Sequence, residues 1–229
     1  MKTIAFVLYP GLTLLDLAGP LQVLNGMCDR NREFSVMGVS ENVGAVDVDV
    51  PLKLVSGATF KDVPDPMVVV VPGGESSTIK AMGDDHLLNY LKRVSEHADY
   101  VCSVCTGSLI LGAAGLLIGR EATTHWGCYK ILDALGAKYV KKRWVHDGKF
   151  ITSAGVSAGI DMALYLVSRL TDESMVRSIQ LGLEYDPEPP FGGIDWGNVD
   201  RDRLTPYFKD WIKEYLGDKP DLMKLLDKV

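Results

Sequence analysis

No stretch of this 229-residue chain approaches the roughly 20 consecutive apolar residues that cross a bilayer, so a membrane-spanning helix is not expected. Positive charge is in short supply. The 24 Lys and Arg stand against 30 Asp and Glu, a net charge of −6, whereas a surface built for phosphates needs the opposite balance. Nucleic acid is therefore not expected as the main ligand. The phosphate-cradling pattern that ends in Gly-Lys-Ser/Thr is missing, and so is G-x-G-x-x-G, so no nucleotide cofactor is implied. Cysteine and histidine are sparse, at four each. The start, Met1-Lys2-Thr3-Ile4-Ala5-Phe6-Val7, has one positive charge, a short apolar run and no small-residue cleavage site, so a secretion leader is not expected. Reduced thiols in the cytoplasm are expected rather than a disulfide framework. There is no internal repeat and no low-complexity region.

The length allows one large domain or two small ones, with ample material for a core. Residues 3–9, 67–71 and 100–104 are nearly continuous apolar runs, and 34–39 is a further candidate. Such runs fit strands covered on both faces, hence a parallel sheet between helices. From 44 to 55 the pattern alternates instead (Val46, Val48, Val50, Leu52, Leu54), which predicts a small hairpin or ribbon. Helical periodicity covers 16–25, 84–98, 106–115, 126–135, 156–169 and 172–184. Strands alternating with such helices predict a doubly wound α/β fold. Residues 139–145 and 150–153 read as paired strands around His146-Asp147-Gly148-Lys149. A proline-rich stretch, 186–193, is expected to cross the surface or reach a neighbouring subunit, and 204–228 reads as a charged amphipathic helical tail.

The chemistry centres on Ser103-Val104-Cys105-Thr106-Gly107, which ends one apolar run and opens the next. Small residues two places to either side of a nucleophile, at a strand-to-helix joint, describe a nucleophile elbow. The sulfur would sit beside the first free N–H groups of a helix, where the positive dipole end favours a thiolate. The other reading, a cysteine that packs as a small hydrophobe, suits Cys28 and Cys102 better. Cys102 and Cys105 make a C-x-x-C spacing. The former falls inside the strand, about three residues or roughly 10 Å before the elbow, so a disulfide is not expected. Cys128 and His125 would make only a loose second pair of zinc ligands, so no metal is implied.

Ligands gather at the carboxyl ends of strands in open α/β sheets. That rule brings Asp16, Gly74 and Cys105 toward one crevice. Asp16 lies among Leu14, Leu15, Leu17 and Ala18, where desolvation would raise its pKa and let it exchange protons with the thiol or a substrate. It equally completes a capping box, Thr13-x-x-Asp16, with Pro20 in an early helical turn. Pro72-Gly73-Gly74 is either a simple turn or a place where the Gly74 N–H, with that of Thr106 or Cys105, holds developing negative charge. The segment 153–159 reads as another strand-to-helix turn over the same crevice. His125 could lie near the thiol as a dyad partner or act as a capping residue. His86, His97 and His146 carry no signal.

Together, Asp16, Pro72-Gly73-Gly74, Ser103 to Gly107 and Ala122-Thr123-Thr124-His125-Trp126 resemble the ThiJ/PfpI superfamily, over about residues 1–190. Residues 191–229 would then be a C-terminal extension carrying the helical tail. Leu15-Asp16-Leu17, the run from Ser103 to Leu117, Thr123 to Trp126, Ala158-Gly159-Ile160-Asp161 and Leu183-Glu184-Tyr185 resemble the isonitrile hydratase branch. The resemblance implies a flavodoxin-like sandwich, a nucleophile at Cys105, a partner carboxyl at Asp16 and a supporting hydroxyl at Thr106. It also implies a small apolar isonitrile substrate, no cofactor, and a homodimer. Deglycase-like members carry Glu where this chain has Asp16, and protease-like members carry His where it has Thr106. Regulators that use this domain append a DNA-binding region, for which fewer than 45 residues remain after Tyr185. A glyoxalase- or deglycase-like enzyme, or a sensor whose thiol is simply oxidised, are the alternatives.

Overall fold

A computed structural model describes residues 1–227 and 229. The chain begins β1 (Lys2–Val7), α1 (Leu14–Arg30), β2 (Phe34–Ser40), β3 (Gly44–Asp47), β4 (Lys53–Ser56), β5 (Ala58–Thr59) and β6 (Val68–Val71). It continues through α2 (Ser76–Met82), α3 (Asp85–His97), β7 (Tyr100–Ser103), α4 (Gly107–Ala113), β8 (Glu121–Ala122) and α5 (Tyr129–Ala134). Then follow β9 (Lys138–Tyr139), β10 (Trp144–Asp147), β11 (Phe150–Ser153), α6 (Ala158–Leu170), α7 (Glu173–Gly182), α8 (Thr205–Leu216) and α9 (Pro220–Leu226).

Seven strands form one sheet in the order β10-β11-β7-β6-β1-β2-β5, parallel throughout except for β10. Val68 to Val71 are fully buried because β6 lies at the middle of that sheet with helices on both sides. Helices α1, α6 and α7 pack together as one layer, and α2 to α5 with α8 and α9 form the other. The architecture is the flavodoxin-like doubly wound sandwich. Chain order reverses between β1 and β6, and this switch point is where the carboxyl ends of the strands open a crevice.

The alternating stretch folds as the antiparallel hairpin β3–β4, with Val46 opposite Leu54. The pairing around His146 to Lys149 forms too, closed by Gly148 at φ +64°. Its first strand is shorter than the sequence suggests. Tyr139 instead pairs with Ala122, and the Val140 N–H bonds Ala122 O at 2.8 Å, so the chain joins the main sheet only from Trp144. Helix α1 runs well past the apolar stretch that announces it. Helix α2 carries no strong periodicity, having only seven residues that open Ser-Ser-Thr. The proline-rich stretch is exposed and irregular. The tail folds back on the body: α8 buries Phe208, Ile212 and Leu216 and packs on α2.

Candidate active site

Four neighbouring strands, β11, β7, β6 and β1, each send one loop from their carboxyl end into the crevice. The loop after β7 carries Cys105 at φ +55°, a left-handed conformation rare for any residue but glycine. The Cys105 N–H holds the strained turn by bonding Ser153 O and Ala154 O, both at 3.1 Å. A Cβ at position 107 would stand 2.2 Å from Val71 O, so glycine alone fits there. This is the elbow that the small flanking residues predict, with the cysteine buried at 6% exposure.

Asp16 enters from α1, fully buried. Its Oδ2 accepts the Gly73 N–H at 3.0 Å, while Oδ1 has no hydrogen-bond partner. A Cβ on residue 73 would lie 2.6 Å from Thr106 N and 2.8 Å from Asp16 Oδ2, so glycine is what lets carboxyl and elbow approach each other. The capping-box reading fails, because the Thr13 side chain makes no cap bond; Asp49 Oδ1 accepts the Leu14 N–H at 2.9 Å instead. Burial lifts the Asp16 carboxyl to about 7, against the pull of the Gly73 N–H and the Cys105 thiol.

Burial also drives the Cys105 thiol far up, and the Asp16 charge pushes the same way. The N–H groups of Val156 and Thr106 and the Thr106 hydroxyl act on the sulfur in the opposite sense but do not prevail. The expected thiolate is thus corrected: a seven-residue helix start does not offset desolvation. Burial thus favours the neutral thiol, with the raised Asp16 carboxyl beside it.

The Thr106 hydroxyl is densely held. It donates to Gly74 O at 2.6 Å, lies 2.8 Å from Thr78 Oγ1, and accepts the Gly74 N–H at 2.9 Å. The Gly74 N–H is therefore spent on a hydroxyl, not aimed at developing charge, which corrects its expected role. Tyr9 extends this buried chain, 3.2 Å from Thr78 Oγ1 and donating to Pro72 O at 3.0 Å. The N–H groups that do face the sulfur belong to Thr106 and Val156. Val156 was missed by sequence reasoning, although the turn carrying it was read. It sits at φ +23°, a conformation that branched residues rarely adopt. Thr78, Tyr9 and Asp49 were missed too; the only signal for Asp49 was its place opposite in phase to Val46, Val48 and Val50.

A cavity of about 310 Å³ opens on Cys105 and Thr106. Leu204, Tyr207, Phe208 and Trp211 from the C-terminal tail line it, so α8 roofs the crevice. His125 forms another wall. Its Nδ1 faces the Gly127 N–H (3.4 Å) and Cys128 Sγ (3.9 Å), and burial lowers its pKa. Among the described residues no hydrogen bond joins it to Cys105, so the structure does not form the dyad. Cys102 is sealed inside β7, and all four cysteines are free. No group of metal-ligating side chains occurs among the described residues.

An elbow cysteine facing a buried acid at the switch point of this sandwich defines a class, and the chain belongs to the DJ-1/PfpI family, whose profile matches residues 2–169. Isonitrile hydratase from Pseudomonas putida is 43% identical over 188 residues, covering 82% of this chain and 80% of that protein. The crystal structure of a ThiJ/PfpI family protein from Pseudomonas syringae superposes with a TM-score of 0.81 at 35% identity, over 98% of this chain and 90% of that one. An AraC family transcriptional regulator from Pseudomonas putida shares the fold alone, with a TM-score of 0.70 at 20% identity over 80% of this chain. Among the described residues no helix is long and apolar enough to cross a membrane.

Proposed function

We propose that this chain hydrates an isonitrile, R–N≡C, to the formamide R–NH–CHO. The observation that carries the reading is the Asp16–Cys105 pair, a thiol that opens on a cavity and, buried beside it, a carboxyl raised to about 7. The 43% identity to isonitrile hydratase supports the same choice. Asp16 takes the thiol proton as sulfur bonds to the terminal carbon, then returns that proton to the same carbon, leaving the thioimidate R–N=CH–S. Water adds next: Asp16 removes one of its protons, hydroxide bonds to carbon, and the proton moves to nitrogen. The C–S bond then breaks as C=O forms, and the hydroxyl proton passes through Asp16 back to sulfur. One carboxyl with a pKa near working pH serves every transfer. The Thr106 and Val156 N–H groups steady the sulfur as it gains charge. No step calls for a metal or organic cofactor. The apolar tail residues of the roof suit a small apolar substituent and keep stray water from the thioimidate.

The test is formation of N-cyclohexylformamide from cyclohexyl isocyanide, with intact-mass trapping of the adduct on sulfur. Wild type is expected to turn over and Cys105→Ala to fall to background; retained activity in that variant would sink the mechanism. We also propose a homodimer at work in the reducing cytoplasm. The four free thiols and the exposed Leu181, Phe191 and Ile194 support this, and a monomer mass in light scattering would overturn the dimer.

A further inference from the structure

A second cavity, of about 450 Å³, adjoins the first through two shared walls, His125 and Val156. Its other lining residues differ in kind. Lys141, Lys142, Arg143 and Arg201 stand around it, with no aspartate or glutamate among its lining residues, in a chain whose net charge is −6. Arg143 is engaged by Asp161. Among the described residues Lys141, Lys142 and Arg201 form no ion pair. Asp161 offsets Arg143, and Asp202 lies within electrostatic reach of Arg201, so positive charge remains in excess along this wall, and such an excess raises the local concentration of anions.

Arg201 is also held ready. Its guanidinium lies 4.3 Å from the Tyr129 ring centre and 5.0 Å from that of Tyr139. One nitrogen, Nη2, donates to Tyr139 Oη at 2.6 Å and reaches Trp126 O at 3.4 Å. The Nε–H is buried with no partner. These ring and hydrogen-bond contacts fix the guanidinium at the cavity wall, and a carboxylate oxygen is the acceptor that matches a guanidinium. Trp126 and Trp196 add aromatic surface to the same cavity, with Lys141 Nζ 6.0 Å over the Trp196 ring.

We propose that this second cavity binds a carboxylate carried on the far end of the substrate, so that the preferred isonitrile has an apolar body and an anionic arm. The inference rests on the hydratase reading and narrows its substrate class. The isonitrile carbon meets Cys105 in the first cavity, and the arm passes His125 and Val156 to Arg201 and Lys141.

The experiment compares 6-isocyanohexanoate with 6-isocyanohexanamide, which differ only in terminal charge. Wild type is expected to favour the acid about tenfold or more in kcat/KM, through KM, the scale of one charge-assisted bond. Arg201→Gln is expected to bring the ratio toward one. The double variant Lys141→Ala with Lys142→Ala, altered only at exposed side chains, is expected to shift it the same way and decides the matter should Arg201→Gln fail to fold. In parallel, calorimetry follows binding of the stable product 6-formamidohexanoate, expected to weaken about tenfold in Arg201→Gln. Equal kcat/KM for acid and amide in wild type would overturn the anionic arm and leave the hydratase reading standing. Absence of any isonitrile turnover, with the formamido acid still binding through Arg201, would overturn the hydratase reading and keep the anion site. Failure of both would overturn both.

Discussion

The sulfur of Cys105 meets two unlike neighbourhoods. On one side is a side-chain acid, Asp16, delivered by α1 and held by the Gly73 N–H. On the other side are backbone N–H groups, those of Thr106 and Val156, delivered by strand-to-helix turns of the adjacent strands β7 and β11. The acid side stores its strain as charge, because burial makes the carboxylate expensive. The N–H side stores it in the backbone, at φ +55° for Cys105 and +23° for Val156. On the proposed mechanism the difference divides the work. A group that must pick up and release a proton is tuned by desolvation, while a group that must only face a developing charge is tuned by conformation.

Removing the acid's charge is the sharpest way to break that division, and Asp16→Asn is expected to have the largest effect. Turnover should fall by about 10² to 10⁴, the usual worth of a positioned acid–base group. Stability should move the other way. The folded carboxyl titrates near 7 and its unfolded counterpart near 3.8, so the native state binds more protons in that window and loses stability as pH rises through it. Asparagine has no such titration. The variant should therefore match wild type near pH 4 and exceed it by about 4 kcal/mol at pH 8, measured by urea unfolding at both. Wild-type kcat/KM should rise through about pH 7 as the carboxyl becomes a base. A variant less stable than wild type at pH 8, or a flat wild-type profile from pH 5 to 8, would end the proton-carrier account.

The two sides also differ in how legibly the sequence writes them. A nucleophile between small residues is a local pattern, and the steric reason for Gly107 lies within a few residues of it. Asp16 could be read two ways, because a carboxyl in a first helical turn either caps or turns inward. Only the arrival of Gly73, 57 residues later, decides which. Val156 left no mark. A valine at positive φ looks like any valine in a sequence. Of the fold, the strands of the central sheet were plain from their unbroken apolar runs. Helix α2 was hidden by its length and its polar start. The tail was read as helical, but not as a roof, since an apolar stripe such as Phe208, Ile212 and Leu216 says that a face is covered and not by what.

The smallest effect expected tests the backbone side. Val156→Gly should relieve the left-handed strain, a gain of about 1–2 kcal/mol. Glycine's greater freedom in the unfolded chain offsets about 0.5–1 kcal/mol of it. The net stabilisation of about 0–1.5 kcal/mol should lift Tm by no more than about 3–6 °C. The N–H toward sulfur persists but is held less firmly, so kcat should drop only a few-fold. A loss of stability above about 1 kcal/mol would mean that the valine side chain, not the bent backbone, is what the site needs there.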